Sequence, residues 1–305
     1  MKSEARITLI IITILAGAIL LTFSGCSFKR ITKSKDIVYQ PEKNGLEAQK
    51  LHIFAPRKKE SLHDVIIFVH GGNWNSGKKS QYNIMASHWA KKGVVYVTID
   101  YPLSPAAKYD AMAESTARSV KWVKENIEAY GGNPERIFLS GHSAGGHLAA
   151  LISVDEQYFR NIGVENPLAG TILIDAAGLD MYGYLMEEKF TPGNTYLSTF
   201  SNDPQIWKKA SPLYHLHQKM PAMLIYRGGK TYPSISKSNE KFIKALQVYA
   251  PETPYRIQLN KKHVPMITQF FNPWNRRYDE IMEFMAQTKS KNNPSKADTS
   301  SDTAR

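Results

Sequence analysis

Short apolar runs and amphipathic stretches alternate along most of the chain, from about residue 36 to residue 288. Val65–Val69, Val94–Ile99, Ile137–Leu139, Thr171–Ile174, Ala222–Tyr226 and Tyr255–Leu259 are brief, mostly β-branched or aromatic, and bounded by Gly, Pro or Asn, which is the pattern of buried strands. Between them, Met112, Thr116, Val120, Val123, Ile127 and Tyr130 recur every three or four residues. Ile235, Phe242, Leu246 and Tyr249 repeat such a face, so each stretch predicts a helix with one apolar side. Strands and helices in strict alternation imply an α/β fold with a mostly parallel central sheet and helices on both faces. Sheets of this kind carry their sites at the carboxyl ends of the strands.

The two ends of the chain break this pattern. Lys2 and Arg6 precede an uncharged run, Ile7–Phe23, as in the n-region and h-region of a signal peptide. The run closes on Phe23-Ser24-Gly25-Cys26-Ser27, which resembles a bacterial lipobox in which Cys26 is diacylated and becomes the mature N-terminus. The other reading is an uncleaved anchor, since about 17 apolar residues is the short limit for spanning a bilayer. Both readings put the domain outside the cytoplasm, held on a membrane of the bacterial cell envelope. The division expected is a lipoprotein signal peptide over residues 1–25, a polar tether over 26–35, one domain over 36–288, and a disordered tail over 289–305.

Composition narrows the partners. With 42% hydrophobic and 22% charged residues, the chain is neither disordered, collagenous nor coiled coil. A formal charge of +12 raises the question of a nucleic-acid partner. The basic residues are scattered in pairs and triplets such as Arg57-Lys58-Lys59 and Lys261-Lys262, without an aromatic-interleaved stripe, so none is expected. The single cysteine, Cys26, excludes a disulfide framework and a cysteine-based zinc site in a monomer. His142, His147, His215 and His217 show no carboxylate–histidine spacing, so neither a metal nor a cofactor is expected.

Two motifs sit at strand ends. Gly141-His142-Ser143-Ala144-Gly145-Gly146 follows a strand and precedes the apolar helix Leu148–Val154, the strand–turn–helix context that G-x-S-x-G requires to present a nucleophilic serine. His70-Gly71-Gly72-Asn73-Trp74 ends the strand Val65–Val69. Its glycines let N–H groups at Gly71 and Gly72 join that of Ala144 around a developing oxyanion. His70 itself reads as a structural histidine bonded to neighbouring loop backbone.

Together, HGGNW and GHSAGGHLAAL resemble the esterase/lipase branch of the α/β-hydrolases, near the BD-FAE-like and arylformamidase-like carboxylesterases. Asp100-Tyr101, the segment Val120–Ile137 and Ala210-Ser211-Pro212 fall where such sequences have them. The resemblance implies an α/β-hydrolase fold and a triad in the order serine, acid, histidine. His263 is the histidine at the expected place after the strand Tyr255–Leu259. The acid departs from the pattern: relatives read something like H-G-x-x-D after the strand Ala222–Tyr226, whereas this chain has Arg227-Gly228-Gly229-Lys230-Thr231, with Thr231 at the aspartate position. Asp175, one strand earlier, is the favoured replacement; Asp180, matching a structural aspartate of the family, is the second choice, and a dyad without acid the third. Met181–Lys209, rich in aromatics, reads as a lid over an acyl or aromatic pocket or as simple packing. The expected function is a serine carboxylic-ester hydrolase that forms an acyl-enzyme with a small-molecule ester. The alternatives are a non-catalytic pseudo-hydrolase that binds a ligand and an arylformamidase-type amide hydrolase.

Overall fold

The computed structural model describes residues 30–288, apart from residues 44, 58–60 and 192. The signal peptide with Cys26 and the tail 289–305 lie outside the described residues. Eight strands form one sheet in the order β1-β2-β4-β3-β5-β6-β7-β8. They are β1 (Ile31–Gln40), β2 (Gln49–Pro56), β3 (His63–Val69), β4 (Val95–Ile99), β5 (Gly132–His142), β6 (Leu168–Ile174), β7 (Ala222–Gly228) and β8 (Tyr255–Gln258). From β4 through β8 every pairing is parallel.

Two expectations are corrected. Residues 31–35 are not a tether, because β1 begins at Ile31 and pairs with β2 through Ile31↔Pro56 and Thr32↔Ala55. Nor is the alternation strict: β1–β2 and β2–β4 are antiparallel. An edge strand bearing Lys33, Lys35 and Asp36 lacks the apolar run of a buried strand, and charge on an edge discourages pairing with other chains. Asp36 sits at a bulge with φ 55° and meets the amine of Lys79 at 3.1 Å, which also reaches Asp100 at 2.6 Å.

The pleat divides the core into two layers. Val65, Ile67 and Val69 of β3 face one side, with Ile137 and Leu139 of β5, while Ile66, Phe68 and Phe138 face the other. Helices α1 (Asn83–Lys91), α2 (Tyr109–Asn126), α3 (Ala144–Val154), α4 (Gln157–Arg160), α5 (Met181–Glu188), α6 (Thr195–Phe200), α7 (Pro204–Lys209), α8 (Pro233–Leu246), α9 (His263–Thr268) and α10 (Arg277–Gln287) cover them. The first layer is closed by α2, α3 and α8 through Val120, Leu148 and Phe242; the second by α1 and α10 through Trp89 and Ile281. Arg136 on β5 fastens the end of α10, donating to Asp64 at 2.9 and 2.8 Å, to the Met285 carbonyl at 2.6 Å, and to the Thr288 carbonyl. Among the described residues no helix is long and apolar enough to cross a membrane.

The tightest packing lies where α3 leaves β5. A Cβ on Gly145 would stand 2.1 Å from the Val69 carbonyl oxygen, and one on Gly141 would stand 2.3 Å from the Gly145 carbonyl oxygen. Every atom met is backbone, which has no rotamer to give. Gly145→Ala is therefore expected to destabilise the fold by about 2–3 kcal/mol. Urea unfolding checks this; a midpoint equal to that of the wild type would contradict the packing described.

Candidate active site

Ser143 occupies the turn between β5 and α3 with φ 54° and ψ −122°, a conformation that L-residues rarely hold. The surroundings fix it from three directions. Its N–H donates to the Ile174 carbonyl at 3.3 Å, and its carbonyl accepts from His147 at 3.0 Å and Ala177 at 3.1 Å. The segment beyond β6 is thus tied directly to the serine. Strain of about 1–3 kcal/mol held in place this way is a feature of functional sites.

That segment begins with Asp175, wholly buried, with φ 48° and its N–H bonded to the Tyr226 carbonyl at 2.7 Å. Its Oδ1 accepts from the Gly228 N–H at 2.7 Å, and its Oδ2 from the Thr231 hydroxyl at 2.5 Å and from His263 Nδ1 at 2.6 Å. On the other side of the ring, His263 Nε2 lies 2.9 Å from Ser143 Oγ. With Nδ1–H donating to the carboxylate, Nε2 is left as an acceptor for the serine proton. Asp175 is therefore the carboxylate against His263. Asp180 is not: it caps α5 by accepting from Gly183 N–H at 2.9 Å and pairs with Lys241 at 2.6 Å. Thr231, at the position where the sequence resemblance implied an acid, gives Asp175 a hydrogen bond instead.

The glycine loop lies against the serine. A Cβ on Gly71 would come 3.1 Å from that of Ser143, and Gly72 has φ +131° with its carbonyl turned back to accept from Asn75 and Ser76 at 3.1 and 3.0 Å. Ala144 is the first residue of α3, so its N–H belongs to the positive end of that helix. Gly71, Gly72 and Ala144 are thus gathered around Ser143. His70 is buried, donates from Nδ1 to the Gly71 carbonyl at 2.8 Å, and stacks on Tyr101, as its structural reading required.

Two histidines and a tryptophan acquire roles that the linear pattern does not disclose. Trp74 is buried, donates from Nε1 to His147 Nδ1 at 3.2 Å, and packs edge-on against Tyr196 and Phe200. His147 in turn donates from Nε2 to the Ala210 carbonyl at 2.6 Å. This chain links the glycine loop to α3 and to the segment after α7. His142 stacks on His263 with ring centroids 4.6 Å apart and donates from Nε2 to the His263 carbonyl at 3.2 Å. The only sequence hint was position: both histidines flank the serine in GHSAGGH.

A cavity of about 910 Å³ opens over Ser143 and His263, lined by Gly72, Trp74, Met181, Tyr184, Tyr196 and Tyr232 among others. The segment Met181–Lys209 forms α5, α6 and α7 beside it. Both readings of its aromatics hold: Tyr184 and Tyr196 line the cavity, whereas Phe200 and Trp207 are buried in the core. Among the described residues no group of three or more His, Cys, Asp or Glu is placed to hold a metal ion.

The strand order, the serine turn after β5, the acid after β6 and the histidine after β8 define an α/β-hydrolase. The chain belongs to the BD-FAE family, whose family model matches residues 51–242. It is similar to esterase LipQ of Mycobacterium tuberculosis, 30% identical over 76% of this chain and 56% of that protein. It is also similar to the isoprenylcysteine alpha-carbonyl methylesterase ICME of Arabidopsis thaliana, 24% identical over 77% of this chain and 57% of that one. The chain thus spans just over half the length of these relatives. Among solved structures, esterase B of Lactobacillus rhamnosis superposes with a TM-score of 0.66 at 17% identity, covering 94% of this chain and 95% of that one.

Burial pushes His142 down to about 3, with the neighbouring His263 adding to the effect, and pushes His147 down to about 4. Both lie below the ordinary value of 6.5, so between 6.5 and about 4 the unfolded chain takes up protons that the folded chain refuses. Stability should fall as pH falls through that window. His147→Gln, which keeps a donor for Ala210 and an acceptor for Trp74, should flatten the slope by up to about 1.4 kcal/mol per pH unit. Urea midpoints measured across pH 6.5 to 4.5 test this; an unchanged slope would count against a buried neutral His147.

Proposed function

We propose that the chain is a serine carboxylic-ester hydrolase that works through an acyl-enzyme. The observation that carries this reading is the continuous relay from Asp175 Oδ2 through His263 to Ser143 Oγ, at 2.6 and 2.9 Å. Ser143 Oγ attacks the ester carbonyl carbon while His263 Nε2 takes its proton. The N–H groups at Gly71, Gly72 and Ala144 receive the negative charge on the carbonyl oxygen. Asp175 stabilises the imidazolium, which then gives its proton to the departing alcohol. Water repeats the cycle on the acyl-serine and releases the acid.

The pseudo-hydrolase alternative drew on the missing acid after β7, and a buried carboxylate at 2.6 Å from His263 removes that ground. Esters are favoured over formamides because LipQ, ICME and esterase B all carry ester hydrolysis in their names. The substrate is a small-molecule ester that fits a cavity walled by tyrosines and Trp74. No nucleic acid enters this chemistry. We also propose that the domain is displayed on a bacterial envelope membrane through lipid on Cys26, supported by the apolar run Ile7–Phe23 and the small residues before the cysteine.

Fluorophosphonate labelling tests the nucleophile: wild type should label and Ser143→Ala should not, whereas folded wild type that fails to label would favour the pseudo-hydrolase. Asp175→Asn should lower turnover by about 10⁴. Thr231→Val, which leaves Asp175 one donor short, should cost about tenfold. Adding Thr231→Asp to Asp175→Asn should recover part of the loss, because it puts a carboxylate at the position where the sequence resemblance implied an acid. Ester hydrolysis by the four proteins decides the matter, and an Asp175→Asn enzyme as fast as wild type would overturn the assignment.

For the anchor, Cys26→Ala should abolish incorporation of a palmitate analogue and leave unprocessed precursor. Label that persists in Cys26→Ala would rule out lipidation at this cysteine.

A further inference from the structure

Part of the lining at the cavity mouth is apolar yet open to solvent. Tyr232 and Val264 line the cavity and are 58% and 57% exposed, and Phe271 lines it beside them. Trp274, three residues past Phe271, is 86% exposed, and Leu259 is 75% exposed. The backbone of Leu259 packs on Gly229, three residues before Tyr232, so it lies in the loop next to the mouth. Large apolar side chains left in water around a cavity mouth mark a surface that meets a partner.

Cations outnumber carboxylates around them. Between Asn260 and Tyr278 the chain has Lys261, Lys262, Arg276 and Arg277 and no carboxylate, and the adjoining loop carries Lys230, whose N–H donates to the Lys261 carbonyl at 2.9 Å. Arg277 is engaged with Glu280 at 2.5 Å, and Arg276, whose side chain is 83% exposed, meets the same carboxylate at 3.5 Å. Of the acidic side chains of α5 near the mouth, Glu188 lines the cavity and Glu187 is paired with Lys237 at 2.6 Å.

We infer that this rim docks on the surface of an anionic phospholipid bilayer, with Trp274 and Leu259 in the boundary between headgroups and acyl chains and Lys230, Lys262 and Arg276 among the headgroups. Tryptophan settles at that depth because its ring is apolar and its N–H polar. Each cation near an anionic lipid surface strengthens binding by about fivefold at physiological salt. The mouth of the cavity then faces the bilayer, the phase in which apolar esters concentrate. This inference needs neither the catalytic assignment nor lipid on Cys26.

The test uses the full chain, Trp emission, and vesicles of phosphatidylcholine with phosphatidylglycerol at about 3:1, the phosphatidylcholine brominated in its acyl chains. All five tryptophans lie at or beyond Trp74, and Trp274 is the one that is strongly exposed, so an N-terminal anchor by itself produces no quenching. Wild type should be quenched, and Trp274→Phe should lose most of that quenching. Lys262→Gln/Arg276→Gln should weaken it at a given lipid concentration, as should vesicles of phosphatidylcholine alone. Hydrolysis of a soluble ester should be unchanged in Trp274→Phe, which shows that the variant is folded. Equal quenching in wild type and Trp274→Phe, or none in wild type, would overturn the inference. So would a dimer in sedimentation velocity that Leu259→Ser/Trp274→Ser dissociates, since the face would then join two copies of the chain.

Discussion

A carboxylate with no access to water has to be surrounded by donors, and at Asp175 those donors come from separate parts of the chain. Gly228 supplies a backbone N–H, Thr231 a hydroxyl and His263 a ring N–H. The end of β6, the loop after β7 and the segment after β8 are thereby drawn onto one residue. An ion buried in low dielectric is tolerable only with such compensation, and a lost donor leaves the charge short by more than an ordinary hydrogen bond. The position of His263, and through it the access of its Nε2 to Ser143, follows from this requirement.

The serine side of the site rests on close backbone contact instead. Glycines at 141 and 145 let α3 run against β3 and β5, and the carbonyl of Ser143 is shared between α3 and the loop that carries Asp175. Nucleophile and acid are therefore separated by one peptide hydrogen bond, from Ala177 N–H, as well as bridged by His263. His142 adds a neutral ring on the face of His263. A second cation there would oppose formation of the imidazolium; an uncharged ring does not.

The parallel strands β3 to β7 are legible in the sequence because burial on both faces leaves them little choice but apolar residues, whereas the edge strand β8, with Arg256 and Ile257 exposed, shows itself through Tyr255 and Ile257 between Pro254 and Asn260. Strand β1 is not legible, since one side of an edge strand faces water, and its lysines and Asp36 read as linker. Strand β2 hides because Gln49 and His52 interrupt its apolar residues, although both are buried. Ser143 and His263 announce themselves through turn chemistry and chain order. The acid is only half legible: Asp175 and Asp180 both follow β6, and what separates them is a backbone with φ 48° that directs Asp175 under the histidine while Asp180 closes α5. Trp74 and His147 belong to recognisable motifs, yet their pairing spans 73 residues and exists only once the glycine loop is folded onto α3.

The contact between Asp175 and Thr231 also bears on how a site of this kind can change over time. Both side chains reach the same carboxylate position, since the threonine hydroxyl touches Asp175 Oδ2. Two aspartates there would place like charges in one buried spot, where only one ionises readily. A lineage can therefore hold both for a while, one of them protonated and acting as a donor much as the threonine hydroxyl now does. Either may then be lost without an interval in which the histidine stands alone. The fold thus offers the acid two addresses on neighbouring strands joined by a continuous route of functional sequences, and the loop after β7 is left free to diverge once the charge has moved.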